Sequence, residues 1–221
     1  MFQQTVTLIR KEFLIEFRNK NPLFSLLLYV LGTALICYLS FVLKTNKVIG
    51  VTWNALFWIN IFFISQIAVS KSFFHEGKGR NFYYAYVCKP EAVIISKIIY
   101  NFFMLLVLSL ISYVVFKNIF NQEIGNNQWF LINLFFGSLA LASGQSLLAA
   151  VASKANNNAT LLTILSVPII SPILLFLIRT SNNAIDNINT SIMQEDLIAL
   201  GSINVVIIAV SYFLFPYLWR S

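Results

Sequence analysis

The residues whose types could do chemistry are concentrated in one polar stretch, residues 70–90, which reads SKSFFHEGKGRNFYYAYVCKP. It holds the chain's single histidine, His75, and a lone histidine on a connecting segment is more often a surface group than a ligand. Gly77-Lys78 superficially resembles a phosphate-binding loop. That motif requires another glycine five residues earlier and a hydroxyl residue after the lysine, where this chain has Gly79. Nucleotide binding by this device is therefore excluded.

Enzymatic and ion-pumping chemistry is disfavoured elsewhere. Ser143 stands beside Gly144 in ALASGQSLL, as in a membrane serine hydrolase, yet no apolar span has a histidine to act as general base. Ion-coupled pumps normally place carboxylates or histidines inside the membrane, and the spans have none. Cys37 and Cys88 lack the spacing of a disulfide framework or a zinc site. We predict a protein that is not an enzyme and has no clear cofactor motif or metal site.

The composition indicates that membrane helices position these residues. Of 221 residues, 58% are hydrophobic and 10% are charged, and the mean hydropathy is +0.78. This is more apolar surface than one soluble core of this size buries, so the bilayer is the expected solvent. Residues 1–21 carry both acids and bases without an uninterrupted apolar run, so they are not read as a secretory signal.

The apolar pattern predicts an all-α integral membrane protein with one transmembrane domain over residues 1–221. A hydrocarbon core of about 30 Å needs roughly 20 apolar residues per helix. Six stretches qualify, and none contains a charged residue or histidine. They are residues 23–43, 51–69, 98–116, 129–152, 159–178 and 197–218.

The distribution of basic residues predicts the orientation. Most of the 15 lysines and arginines lie in the N-terminal arm, between the second and third spans, in the turn at 153–158 and at the C-terminus. By the positive-inside rule both termini and the 70–90 stretch are cytoplasmic. This asymmetry also explains the net charge of +7 without nucleic acid as a partner.

Residues 1–22 have the pattern of a helix lying in the membrane interface. Val6, Ile9, Phe13 and Phe17 recur at steps of three and four, and the charged residues lie between them. The alternative is a charged extension that frays.

Ahead of the last span, Ile185, Ile188 and Ile192 share one helical face. A second, weaker interfacial helix and a simple polar loop remain equal alternatives for this segment.

Two features inside the spans concern packing and flexibility. The fourth span has small residues at steps of four, which let helix backbones approach closely and predict a helix–helix seam: Ser138, Ala142, Ser146 and Ala150. In the fifth span, Pro168 and Pro172 each remove a backbone donor and predict a kinked or broken helix. That feature is either a static kink or a hinge.

The 70–90 stretch is also rich in aromatic rings, which suit either a partner's pocket or an interfacial belt with snorkelling cations. The rings are Phe73, Phe74, Phe82, Tyr83, Tyr84 and Tyr86.

Three segments carry a family resemblance over nearly the whole chain. LIRKEFLIEFRNKNPLFSLLLYV is similar to the opening of the cytochrome c maturation protein B family, which resembles the type-2 ABC exporter permeases, and KPEAVIISKIIYNF is similar to that family's exit from the loop into the third span. LSVPIISPILLFLI is similar to the paired-proline span of the cytochrome c maturation protein B family, the permease subunits of the haem exporter complex. One difference is that KGRNFYY replaces the acidic half of that family's loop box.

The resemblance implies a permease subunit in the bacterial inner membrane, which couples ATP hydrolysis by a separate ABC ATPase to haem export or to release of a haem-loaded chaperone. A short cytoplasmic coupling helix between the second and third spans would dock on the ATPase through Phe74, Glu76, Arg80, Phe82 and Tyr83. Other implied partners are further cytochrome c maturation subunits, a haem chaperone, a second permease copy and membrane lipids. Haem enters as cargo, with axial ligands from other subunits. The alternatives are a type-2 ABC permease for a lipid, glycan or drug, and a membrane scaffold without transport.

Overall fold

A computed structural model describes residues 2–18, 21–42, 49–74, 88–154, 159–188 and 190–220. In these ranges the chain forms seven helices, and α2 to α7 are long and apolar enough to cross a membrane. The all-α prediction with six spanning helices after an N-terminal helix is confirmed. The predicted coupling helix lies outside the described residues. The helices are α1 (Phe2–Arg18), α2 (Asn21–Val42), α3 (Gly50–Phe74), α4 (Pro90–Phe120), α5 (Asn127–Lys154), α6 (Ala159–Ile185) and α7 (Thr190–Arg220).

Several helices are longer than the apolar runs that predicted them. The helix α4 begins eight residues before the predicted span 98–116, because Pro90 suits the first turn and Lys89 precedes it in extended conformation (φ −70°, ψ 134°). It ends at Phe120, and the next residue, Asn121, has a left-handed backbone (φ 46°) that lets its N–H donate to the carbonyl of Lys117. An apolar run ends where polar side chains begin. A helix can continue through those residues, because its backbone groups still bond to one another.

The segment before the last helix is neither an interfacial helix nor a long polar loop. The helix α6 continues to Ile185, and α7 already begins at Thr190. Asn187 has a left-handed backbone (φ 52°), as is common just after a helix end. The N–H of Gly125 donates to the carbonyl of Ile185 at 3.1 Å, which helps to cap α6. Both alternatives for this segment were therefore wrong, because the two long helices take up most of it.

The helix α5 is the centre of the bundle and packs against α3, α4, α6 and α7. We call the end of the bundle that carries α1 the proximal end, and the opposite end the distal end. The four small residues of α5 are all buried. Ser138 lies 3.0 Å from the hydroxyl of Ser109, and Ser146 accepts a hydrogen bond from Asn101 at 2.9 Å. The central helix therefore contacts α4 through polar side chains as well as through small ones.

The helix α1 has distinct faces. Thr5 and Leu8 are buried against the bundle. Val6 and Phe17, from the apolar row noted in the sequence, are 48% and 67% exposed, whereas Phe13 contacts α4. The amphipathic helix thus leaves part of its apolar row uncovered, as suits a helix beside lipid.

Candidate functional site

A buried lysine joins three helices at the proximal end. Lys97, on α4, is 3% exposed. Its ammonium donates a short hydrogen bond to the backbone carbonyl of Ser72 and lies 4.8 Å from the centre of the Phe73 ring. The Glu12 carboxylate of α1 lies 3.6 Å from the same nitrogen. A desolvated ammonium needs such compensation, because an unpaired buried charge is costly.

The acids of α1 face the bundle rather than water. Glu12 also pairs with Lys11 at 2.8 Å. One turn further along α1, Glu16 accepts a hydrogen bond from the Tyr100 hydroxyl at 3.1 Å. Phe13 packs edge-on against the Tyr100 ring, with centroids 5.3 Å apart. Spacing of four residues places both carboxylates over α4, so α1 is fixed to the bundle through two acids and a ring.

A second lysine ties α3 to α2. Lys71 donates to the Ser25 hydroxyl at 2.8 Å. Lys71 and Ser72 belong to the last turn of α3, which ends at Phe74. The helix end before residues 75–87 is therefore held by side chains from α2 and α4.

We call Glu12, Glu16, Lys71, Lys97 and Tyr100 the proximal charge cluster. It connects α3 and α4, the helices before and after residues 75–87, to α1. Removing one partner of a buried ion pair costs about 3–5 kcal/mol, because the other charge is left without compensation. The cluster therefore resists separation of α1, α3 and α4. These side chains link α1, α3 and α4 to one another at the proximal end.

Of the residues predicted to contact an ATPase, the structure describes one. Phe74 is the last residue of α3, half-buried against the core. Glu76, Arg80, Phe82 and Tyr83 lie outside the described residues, so their contact stays a prediction.

The two prolines of α6 lie inside a continuous helix. Pro172 has no N–H to donate to the carbonyl of Pro168, and the Ser171 hydroxyl donates to that carbonyl at 3.2 Å. This conformation is thus not a broken helix. A hinge at Pro168 and Pro172 stays a prediction.

Sequence reasoning missed the buried amides because it searched the spans for charges alone. In the distal half, the Asn54 amide donates to the carbonyl of Ile178 and to Asn182, both at 2.8 Å. Asn133 donates to the Ser181 hydroxyl at 2.7 Å. An asparagine inside an apolar run was the signal that could have predicted these contacts, because polar side chains in membrane helices hydrogen-bond to neighbouring helices. These bonds clamp α3 and α5 to α6.

The proximal charge cluster was missed for a related reason. Lys97 directly precedes an apolar run, and Glu12 and Glu16 share one face of the first helix. The sequence shows these residues, but the contact between Lys97 and Glu12 depends on the packing of α1 against α4.

The bundle defines a class, that of polytopic α-helical membrane proteins with an amphipathic helix ahead of six helices that could span the membrane. A family model described as CcmB protein matches residues 3–220, essentially the whole chain. The chain therefore belongs to the CcmB family, cytochrome c maturation protein B. No match was found among curated proteins.

Membership in this family makes the chain a multi-pass membrane component of the haem export and cytochrome c maturation system. It is a transporter subunit and works in a complex with other subunits. The family resemblance read from the sequence is thereby confirmed.

Proposed function

We propose that this chain is the permease subunit of an ABC complex and that it transmits movement from a separate ATPase subunit to the membrane bundle. The observation that carries the proposal is the proximal charge cluster. Lys97 bonds to the end of α3, lies on α4 and pairs with Glu12 of α1. An ATPase docked on residues 75–87 would act on both flanking helices through this joint.

We also propose how the chain is oriented in the membrane and which membrane holds it. Both termini and residues 75–87 face the cytoplasm, and the membrane is the bacterial inner membrane. The excess of basic residues in the proximal connections supports this orientation.

Haem is the cargo of the complex rather than a resident cofactor of this chain. Haem iron takes histidine, methionine, cysteine or tyrosine as an axial ligand, and the chain's single histidine lies on the proposed cytoplasmic side. The ATP-driven movement serves either haem export or release of a haem-loaded chaperone from a neighbouring subunit. A second permease copy is expected, because an ATPase dimer offers two docking clefts.

The test is ATPase activity of the reconstituted complex, with the ATPase co-expressed, in the presence and absence of haem-loaded chaperone. The Phe82→Ala, Tyr83→Ala double variant is compared with the native chain. Loss of chaperone-dependent stimulation or of ATPase co-purification supports docking at this segment. If the native chain recovers no ATPase, the coupling proposal is wrong and the scaffold alternative is favoured.

A further inference from the structure

The acidic residues of α1 lie on the side of the helix that contacts the bundle. Glu12 lies 3.6 Å from the ammonium of Lys97. Glu16, one turn later, accepts a hydrogen bond from Tyr100 at 3.1 Å and interacts electrostatically with Lys71. Both acids of α1 are therefore compensated from within the protein, by side chains of α3 and α4.

Two arginines of α1 lie on the opposite side. Successive residues of an α-helix are turned by about 100°, so Arg10 and Arg18 project away from the side that carries the acids. Both arginines are exposed. Within the part of the chain that the structure describes, neither has an ion-pair partner, whereas Lys11 pairs with Glu12 at 2.8 Å. This side of α1 thus carries two positive charges that the protein does not balance.

Large apolar side chains accompany these arginines. Four residues on the side of α1 that carries Arg10 are apolar and exposed: Phe2, Val6, Leu14 and Phe17. Val6 and Leu14 lie one turn before and one turn after Arg10, so apolar and basic side chains alternate along one face. A surface of this kind is typical of helices that lie among lipid headgroups, with apolar side chains directed toward the acyl chains.

The position of α1 brings this face close to the membrane. The helix ends at Arg18, and α2 begins at Asn21. Three residue steps of extended chain reach at most about 11 Å, and the apolar segment of α2 starts at Leu23. Arg18 therefore lies near the level at which the chain enters the hydrocarbon. An anionic phospholipid offers both phosphate and hydrocarbon at this level.

We propose that the outer face of α1, formed by Arg10, Arg18 and the four exposed apolar residues, binds anionic phospholipid of the leaflet at the proximal end. The two guanidinium groups donate to phosphate oxygens, which their planar geometry suits. The apolar side chains contact the adjoining acyl chains. A zwitterionic lipid binds more weakly, because its ammonium offsets the phosphate charge. This site goes beyond the proposed function, since it requires neither nucleotide nor a particular orientation of the bundle.

The test measures which lipid the purified full chain retains. The chain is equilibrated in detergent micelles with equal amounts of phosphatidylglycerol and phosphatidylcholine, and bound lipids are counted by native mass spectrometry. The double glutamine variant, Arg10→Gln with Arg18→Gln, removes both charges, and the double lysine variant, Arg10→Lys with Arg18→Lys, keeps them. Lys154→Gln is the matched control, because Lys154 is an exposed cation of the proximal end outside α1.

The native chain should retain phosphatidylglycerol in preference to phosphatidylcholine. Each arginine should contribute about fivefold to this preference, so the double glutamine variant should lose about twentyfold. The double lysine variant should keep most of the preference, and Lys154→Gln should keep all of it. Sodium chloride at about 0.5 M should weaken it by screening. Because both arginines are exposed, the double glutamine variant should melt within about two degrees of the native chain in phosphatidylcholine alone.

Four results would overturn the proposal. The native chain could retain both lipids equally, or the double glutamine variant could keep the native preference. An equal loss in Lys154→Gln would mean that total charge, and not α1, selects the lipid. Displacement of phosphatidylglycerol by inorganic phosphate at matched concentration would mean that a free anion fills the site. None of these measurements uses nucleotide, so each result leaves the test of the proposed function independent.

Discussion

Ser181 accepts two hydrogen bonds in the distal half of the bundle. The indole N–H of Trp58 donates to its hydroxyl at 2.8 Å, and the Asn133 amide donates at 2.7 Å. Both donors come from other helices, and Ser181 itself is fully buried. One small side chain of α6 therefore holds α3 and α5 together.

Replacing Ser181 with alanine should destabilise the protein more than most serine substitutions. The change leaves the indole N–H without its partner and removes one of the two acceptors of the Asn133 amide, and each lost partner costs about 1–3 kcal/mol. We expect a melting temperature several degrees lower in detergent. Ser202→Ala is the control, because Ser202 is exposed and donates to the carbonyl of Ile198 in its own helix at 2.9 Å. Equal melting temperatures for the two variants would contradict the clamp.

At the scale of helices, close approach at Gly137 sets the distance between α3, α5 and α6. A Cβ there would lie 2.7 Å from Trp58 and 2.8 Å from Leu177. Gly137→Ala should therefore force these helices apart and lower the melting temperature. Gly32→Ala should be neutral or stabilising by about 0.5–1 kcal/mol, because nothing lies within 4 Å of the new Cβ and alanine favours the helix. A neutral Gly137→Ala would show that the three helices do not meet at this glycine.

The helix α6 offers a second test at this scale. Pro172→Ala gives the carbonyl of Pro168 a backbone donor and removes the clash of the proline ring. The helix α6 should therefore be stabilised by up to about 3 kcal/mol and bend less easily. If α6 bends during the cycle, this variant should melt higher and turn over ATP more slowly with its ATPase partner. Pro216→Ala, at an internal proline of α7, is the matched control. Faster or unchanged turnover in Pro172→Ala would argue against a hinge.

The spanning helices were predictable because their main requirement, a long apolar run, can be read directly from the sequence. The runs without charge gave all six spanning helices, because a membrane helix needs about 20 apolar residues. Helix ends were less predictable, since Thr190 and Pro90 begin helices among polar residues. The short turn at Asn187 also depends on backbone capping by Gly125, a residue distant in sequence.

At the scale of the whole molecule, the topology makes a direct prediction. In a Cys37→Ser background, Cys88 precedes α4 at the proximal end, and an Asn187→Cys substitution marks the distal end. A membrane-impermeant thiol reagent should label Cys88 from the cytoplasmic side and residue 187 from the opposite side. Labelling of both from one side would contradict the six-span arrangement, and reversed labelling would contradict the orientation alone.

The candidate site was less predictable than the fold. The family resemblance implied that an ATPase docks on residues 70–90, which stays a prediction, but it did not indicate which side chains hold the helix ends on either side of that segment. Lys97 and Glu12 are distant in sequence, and their pairing at 3.6 Å depends on how α1 packs. Polar contacts between helices that are distant in sequence depend on tertiary packing, and this packing could not be predicted from one sequence alone.

The central claim is that the proximal charge cluster transmits movement between the ATPase and the bundle. Its most direct test is chaperone-stimulated ATP turnover of the reconstituted complex with Lys97→Met. Lys154→Met is the matched control, because Lys154 is also proximal, donates to the carbonyl of Trp219 at 3.3 Å and lies 5.6 Å from that residue's ring. We predict that Lys97→Met keeps its ATPase but loses at least about tenfold in stimulated turnover, while Lys154→Met retains it. Equal stimulation in the two variants would contradict the claim.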